Sequence, residues 1–262
     1  MNNRGGGNMV YITGDCHAEF LKLGKFVFPE QNNMVREDFV VVCGDFGGIW
    51  QDGRNERATL KWLSERNFTL LFVDGNHENF DRLYGEEFPI VDFHGGKAHQ
   101  IRENIFHLMR GYIYELCGKK FFAFGGASSH DIQDGILDPA DYESKGALNR
   151  ACKEWETQGK MFRINHLSWW KEELPSEEEM AFGLRTLAEY GNSVDYIITH
   201  CCPQNLASYF SVGMYKQDSL TKFFDGIAEN VEFKHWYFGH YHRDEQYFGK
   251  YTCLYNHIER VL

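Results

Sequence analysis

The chain repeats one figure: a short apolar run that stops at a glycine beside a polar residue. Met9–Thr13 ends in Gly14-Asp15, Phe39–Cys43 in Gly44-Asp45, and Thr69–Val73 in Asp74-Gly75-Asn76-His77. Short runs of this kind, rich in β-branched and aromatic residues and closed by glycine, read as buried strands. Arg54–Arg66 lies between the second and third runs and contains neither glycine nor proline, which suits a crossover helix. Strand, helix and strand at this spacing predict a parallel βαβ unit with both faces covered.

From Ile105 the spacing tightens. Ile105–Met109, Tyr112–Leu116 and Lys120–Phe124 follow one another too closely for helices, so they predict antiparallel hairpins. Residues 127–175 read as an irregular insertion containing Trp155, Trp169 and Trp170. Ser176-Glu177-Glu178-Glu179 then has the form of a capping box, in which hydroxyl and carboxylate satisfy free backbone N–H groups. Met180, Leu184 and Leu187 follow at i, i+4 and i+7, and Gly191 closes the helix. Strands resume at Val194–Thr199 before His200 and at His235–Phe238 before Gly239-His240, and Gln246–Leu254 reads as a closing hairpin around Gly249. The expectation is one domain over residues 9–262, with residues 127–175 as a rim or lid and residues 1–8 as a flexible leader.

Composition narrows the function classes. In 262 residues, 43% are hydrophobic, enough for a large core, and the formal net charge is −11. That balance disfavours extended nucleic-acid binding, which leaves a basic footprint. A phosphorylated substrate stays compatible, because bound cations would dominate the local field. Seven cysteines without a CxxC pair, no secretory signal and no long apolar run point to a reducing cytoplasm and no membrane.

The chemistry gathers where the apolar runs stop: Gly14-Asp15-Cys16-His17, Gly44-Asp45-Phe46-Gly47-Gly48, Gly75-Asn76-His77-Glu78, Thr199-His200 and Gly239-His240-Tyr241-His242. The carboxyl ends of parallel strands share one edge, where ligand sites form. Two aspartates, an asparagine and four histidines make a mixed oxygen and nitrogen donor set suited to manganese, iron or zinc. On an extended segment i and i+2 point one way, so Asp15/His17 and His240/His242 would each present two donors together. The glycines would let the backbone turn sharply and approach a metal or phosphate. Singly each cluster is an ordinary turn; five at successive strand ends are a pattern.

In this order the motifs GDCH, GDFGG, GNHE, TH and GHYH resemble the calcineurin-like metallophosphoesterases, from Gly14 to His242, and in particular a small bacterial and phage-like subset. The resemblance implies an α/β sandwich of four layers, two mixed β-sheets face to face with helices outside. It implies two divalent metal ions, with manganese favoured in vitro. One would be held by Asp15, His17, Asp45 and His242, the other by Asp45, Asn76, His200 and His240, with Asp45 bridging. His77 would be the catalytic histidine, acting on the leaving group or the phosphate beside a hydroxide that bridges the metals. The expected activity is hydrolysis of a phosphoric ester, as a phosphatase on a small or nucleotide-like substrate; the alternatives are a phosphodiesterase or nuclease on the same scaffold, or a non-catalytic metal-binding module.

One departure matters. The Asp-Arg pair that the family's protein phosphatases carry after the second motif is replaced by Phe46-Gly47-Gly48-Ile49-Trp50. The insertion offers His130, Asp131 and Arg163 as candidates for touching substrate.

Overall fold

The computed structural model of the protein describes residues 8–262, so most of the expected leader lies outside the described residues. Strands β1 (Val10–Thr13), β2 (Phe39–Val42) and β3 (Thr69–Phe72) pair in parallel, with α1 (Arg54–Ser64) crossing from the second to the third. Short α2 (Phe80–Leu83) leads to β4 (Ile90–Phe93), β5 (Gly96–Arg102) and β6 (Ile105–Leu108). β7 (Tyr112–Leu116) and β8 (Lys119–Phe124) open the second sheet. The insertion holds β9 (Gly135–Leu137), α3 (Lys145–Thr157) and β10 (Phe162–Ile164). Then come α4 (Glu177–Glu189), β11 (Tyr196–Thr199), α5 (Gln204–Ser211), α6 (Ser219–Asn230), β12 (His235–Phe238), β13 (Glu245–Tyr247), β14 (Tyr251–Cys253) and β15 (Ile258–Arg260).

The first sheet runs β15-β1-β2-β3-β6-β5-β4 and the second β13-β14-β12-β11-β8-β7. Both are mixed. The inner strands β1, β2 and β3 are buried along their whole length because both faces are covered. Val41, Leu71, Phe106, Phe121 and Ile198 face into the core between the sheets. The alternate residues Val40, Val42 and Leu70 pack outward with Leu60 and Leu63 of α1. Phe122, Phe124 and Ile197 pack outward with Leu187, Leu206 and Phe224 of α4, α5 and α6. Three cores therefore separate four layers, as the resemblance implied.

Several expectations need correction. Ile105–Leu108 does not form a hairpin with Tyr112–Leu116: β6 pairs with β3 and β5 in the first sheet, whereas β7 pairs with β8 in the second. The short link between β6 and β7 carries the chain from one sheet to the other, a step that run spacing does not reveal. The β4–β5 hairpin and β15, antiparallel to β1, went unread. The insertion is ordered: α3 begins at Ser144, whose hydroxyl accepts from Ala147 N, and β9 and β10 pair in parallel. The Ser176 capping box of α4 is present. Its buried stripe, however, runs through Gly183 and Leu187, and Leu184 is 50% exposed. Gly183 lets the helix close on Phe122 and Phe124, where a Cβ would press against the Phe124 ring.

Candidate metal centre

The five motifs meet at one edge, following the carboxyl ends of β1, β2 and β3 in one sheet and β11 and β12 in the other. Asp15, Asp45, Asn76 and His200 are buried, and His17 and His242 keep part of their side chains open to solvent. His17 Nε2 lies 3.0 Å from His242 Nε2, and these atoms stand 3.7 and 3.2 Å from Asp15 Oδ2. His200 Nε2 lies 3.2 Å from Asp45 Oδ1 and 3.3 Å from Asn76 Oδ1. Asp45 Oδ2 faces His17 Nε2 at 3.7 Å. The Asp45 carboxylate thus stands between the two sets, one oxygen toward each.

Local backbone geometry explains the convergence, and not as extended strands. His17, Asp45, His240 and His242 all have positive φ, from 44° to 67°. Non-glycine residues rarely adopt this region, and such strain gathers at functional sites. The donors at i and i+2 therefore converge through left-handed turns, which corrects the extended-segment expectation. The turns are tied down. Asp45 O accepts from Cys16 N and His17 N at 3.0 and 2.8 Å. Glu78, buried, accepts from Phe46 N and Gly47 N and fixes the backbone after Asp45. Lys22 Nζ donates to the carbonyls of Gly14, Asp15 and Tyr255, joining the first motif to the C-terminal segment.

Two of the glycines also serve the packing of the motifs against one another. A Cβ on Gly75 would fall on Asp45 Oδ1, and one on Gly239 on Asp15 Oδ1. They make room for a carboxylate belonging to another motif.

The electrostatics follow from crowding. Burial raises the Asp15 carboxyl, but hydrogen bonds from His17 and His242 and the His200 charge outweigh it, holding Asp15 well below the carboxylate range. Asp45 is opposed by burial in the same way and is brought to about 2, chiefly by His200. Burial lowers His77; Asp45 raises it and Arg163 lowers it further, with a net downward shift. Two ionised carboxylates beside nitrogens packed 3.0 Å apart suit a cation shared among them. Among the described residues three sets can share one, with donor atoms within 4.8 Å: Asp15–His17–His242, His17–Asp45–His77 and Asp15–Asp45–His200. The donor set fits divalent metals.

His240 is placed differently. Its backbone N donates to Asp15, and its Nε2 faces His130 Nε2 at 2.7 Å. The insertion reaches the site through His130, Asp131 and Arg163. Arg163 NH1 and NH2 approach His77 Nδ1 and Nε2 at 3.4 and 3.3 Å, and Arg163 Nε donates to Asp131 Oδ1 at 2.6 Å.

Two neighbours were not singled out from sequence. Ser129 Oγ accepts from Asn76 Nδ2 at 3.2 Å, which turns the amide oxygen toward His200. Glu173, 2% exposed, accepts from Ser129 N, and burial pushes its carboxyl up to about 8. Ser129 stands next to the candidate His130 in the sequence, the one local signal for it; nothing local marks Glu173.

Against known proteins, the family model described as calcineurin-like phosphoesterase matches residues 9–244. No match was found among curated proteins. Members of this family hold a dinuclear divalent metal centre and hydrolyse phosphoester bonds. With the model covering nearly the whole chain, this protein belongs to the calcineurin-like phosphoesterases and is a metal-dependent phosphoesterase.

Proposed function

We propose that the protein is a phosphatase for a small or nucleotide-like phosphoric monoester, acting in the cytoplasm, with manganese as its favoured metal in vitro. In this reading Asp15, His17, Asp45 and His242 hold one ion. Asp45, Asn76, His200 and His240 hold the other. Bound there, the ions would supply Lewis acidity and a nucleophile at neutral pH.

The observation that carries the monoester reading is Arg163. A monoester phosphate bears two charges, and a guanidinium fixed by Asp131 beside His77 adds a rigid planar donor for its oxygens. The insertion thereby supplies an Asp and an Arg beside the histidine, the pair absent after the second motif. His77, held through its backbone N on Asp45 Oδ1 at 2.8 Å, protonates the departing alkoxide or donates to a phosphate oxygen. His130 contacts the ester's organic part. Residues 127–175 act as the rim over the site.

A diester reading draws support from hollows on both sides, about 460 Å³ beside Ala18 and Trp50 and about 560 Å³ beside His130 and Tyr215. Two hollows could take two ester substituents. Hydrolysis of p-nitrophenyl phosphate and bis-p-nitrophenyl phosphate, side by side with manganese or chelator, decides. Preference for the monoester, lost in His77→Ala, is expected; preference for the diester overturns the phosphatase assignment.

A further inference from the structure

We infer, on the ligand set proposed above, that Ser129 of the insertion is the positioning residue for Asn76, and that the insertion thereby governs how well one metal position fills without governing the other. In that set Asn76, His200 and His240 serve one ion, Asp15, His17 and His242 serve its neighbour, and Asp45 is shared.

An asparagine offers a metal only one end of its amide. The oxygen has lone pairs to give, whereas the NH2 group only donates hydrogen bonds. The surrounding hydrogen bonds therefore decide whether the useful end faces the ion. Asn76 is 3% exposed, so its Nδ2 needs an acceptor within the protein. Ser129 Oγ is that acceptor at 3.2 Å, and Asn76 Oδ1 is left on the side of His200 Nε2, 3.3 Å away.

Ser129 can hold the amide because it is itself held. It is buried, and its backbone N donates to Glu173 Oε2 at 3.1 Å. Ala127 N donates to Glu173 O at 3.1 Å, and Gly126 N donates to Asp74 O at 2.9 Å. Asp74 stands two residues before Asn76, so the start of the insertion is fastened both to the Asn76 loop and to Glu173. A carboxyl keeps an acceptor oxygen with or without its proton, so the arrangement does not turn on the ionisation of Glu173.

The dependence is one-sided. The next residue, His130, brings its Nε2 to 2.7 Å from His240 Nε2. Two neighbouring residues of the insertion thus touch two ligands of the same ion. Among the described residues, none from 127 to 175 makes a hydrogen bond, ion pair or ring contact with Asp15, His17 or His242.

The test titrates manganese into the chelator-treated full chain and follows it by electron paramagnetic resonance. Two manganese ions that share a carboxylate couple magnetically and give a signal unlike that of one ion alone. Removing a partner that orients a metal ligand commonly costs about 10–100-fold in metal affinity. Ser129→Ala should bind one ion with wild-type affinity, which also shows that it has folded, and should need at least about tenfold more manganese to form the coupled pair. Ser129→Thr keeps the hydroxyl and should load as the wild type does. A Ser129→Ala protein that forms the pair as readily as wild type, one that weakens both ions alike, or a Ser129→Thr protein as impaired as Ser129→Ala would each overturn the inference alone. A wild-type chain that never holds two ions would overturn the ligand set along with it.

Discussion

Arg163 faces both ring nitrogens of His77, at 3.4 Å from Nδ1 and 3.3 Å from Nε2, while its Nε is held by Asp131. The two residues come from opposite ends of the architecture, a loop after β3 and strand β10 of the insertion. Only the folded rim brings them together.

Arg163 should therefore matter to turnover more than a surface arginine. Arg163→Ala is expected to lower kcat/KM by about 10²-fold, the scale of removing one preorganised donor to a developing charge. Arg163→Lys should restore little, because an ammonium has no planar fork. Steady-state kinetics of both variants check this, and an Arg163→Lys enzyme of wild-type rate would refute it. The metal content of both should stay that of the wild type, since Arg163 contacts none of the proposed ligands.

Gly75→Ala tests the interlock between motifs. Its Cβ would meet Asp45 Oδ1, so either the carboxylate or the loop must move. A cost of about 1–3 kcal/mol is expected from overpacking. The larger effect should be on metal. Manganese should raise the Tm of the wild type, by a free energy of about 2.7 kcal/mol at a concentration 100 times its Kd, and that increment should vanish in the variant. Calorimetry with and without chelator reads both effects; an undiminished metal increment would show that Asp45 has room to spare.

Acid stability should depend on Asp74. Burial raises its carboxyl, but the Arg110 charge and contacts from His107 outweigh burial and leave it well below the usual carboxylate range. A depressed folded-state pKa gives stability that is present above the unfolded value, about 3.9, and is lost as pH falls through the folded value. Asp74→Asn leaves Arg110 without its buried counterion and should cost about 3–5 kcal/mol at neutral pH. The Tm gap between variant and wild type should narrow as pH falls below about 4. A gap that stays constant with pH would mean that the carboxylate charge is not what the network uses.

The proposed metal ligands were legible because β1, β2, β3, β11 and β12 each run out into a motif that holds them. A strand can be read from a few apolar residues, and the motif at its end is local too. Arg54–Ser64 and the Ser176 cap were legible for the same reason: their signals lie in one continuous stretch of chain. What escaped depends on contacts far apart in sequence. That β6 and β7 belong to different sheets is decided by which face each buries, and Phe106 and Tyr114 meet in the same inner core either way. Glu173 reads as one acid among several in a charged stretch until Ser129 is laid over it. The left-handed turns at His17 and His242 carry no local cue, because their strain is held by partners such as Lys22 and the Tyr255 ring stacked on His242.

The proposed ligands divide between the sheets: Asp15, His17, Asp45 and Asn76 follow strands of the first, and His200, His240 and His242 follow strands of the second. Any shear of one sheet across the other would pull the two halves of the donor set out of alignment. Leu71 and Ile198, packed in the seam between the sheets, therefore act as alignment pins for a site that neither touches. Since displacements of about 1 Å are enough to cost such sites most of their rate, the precision of the chemistry rests on greasy side chains in the middle of the molecule.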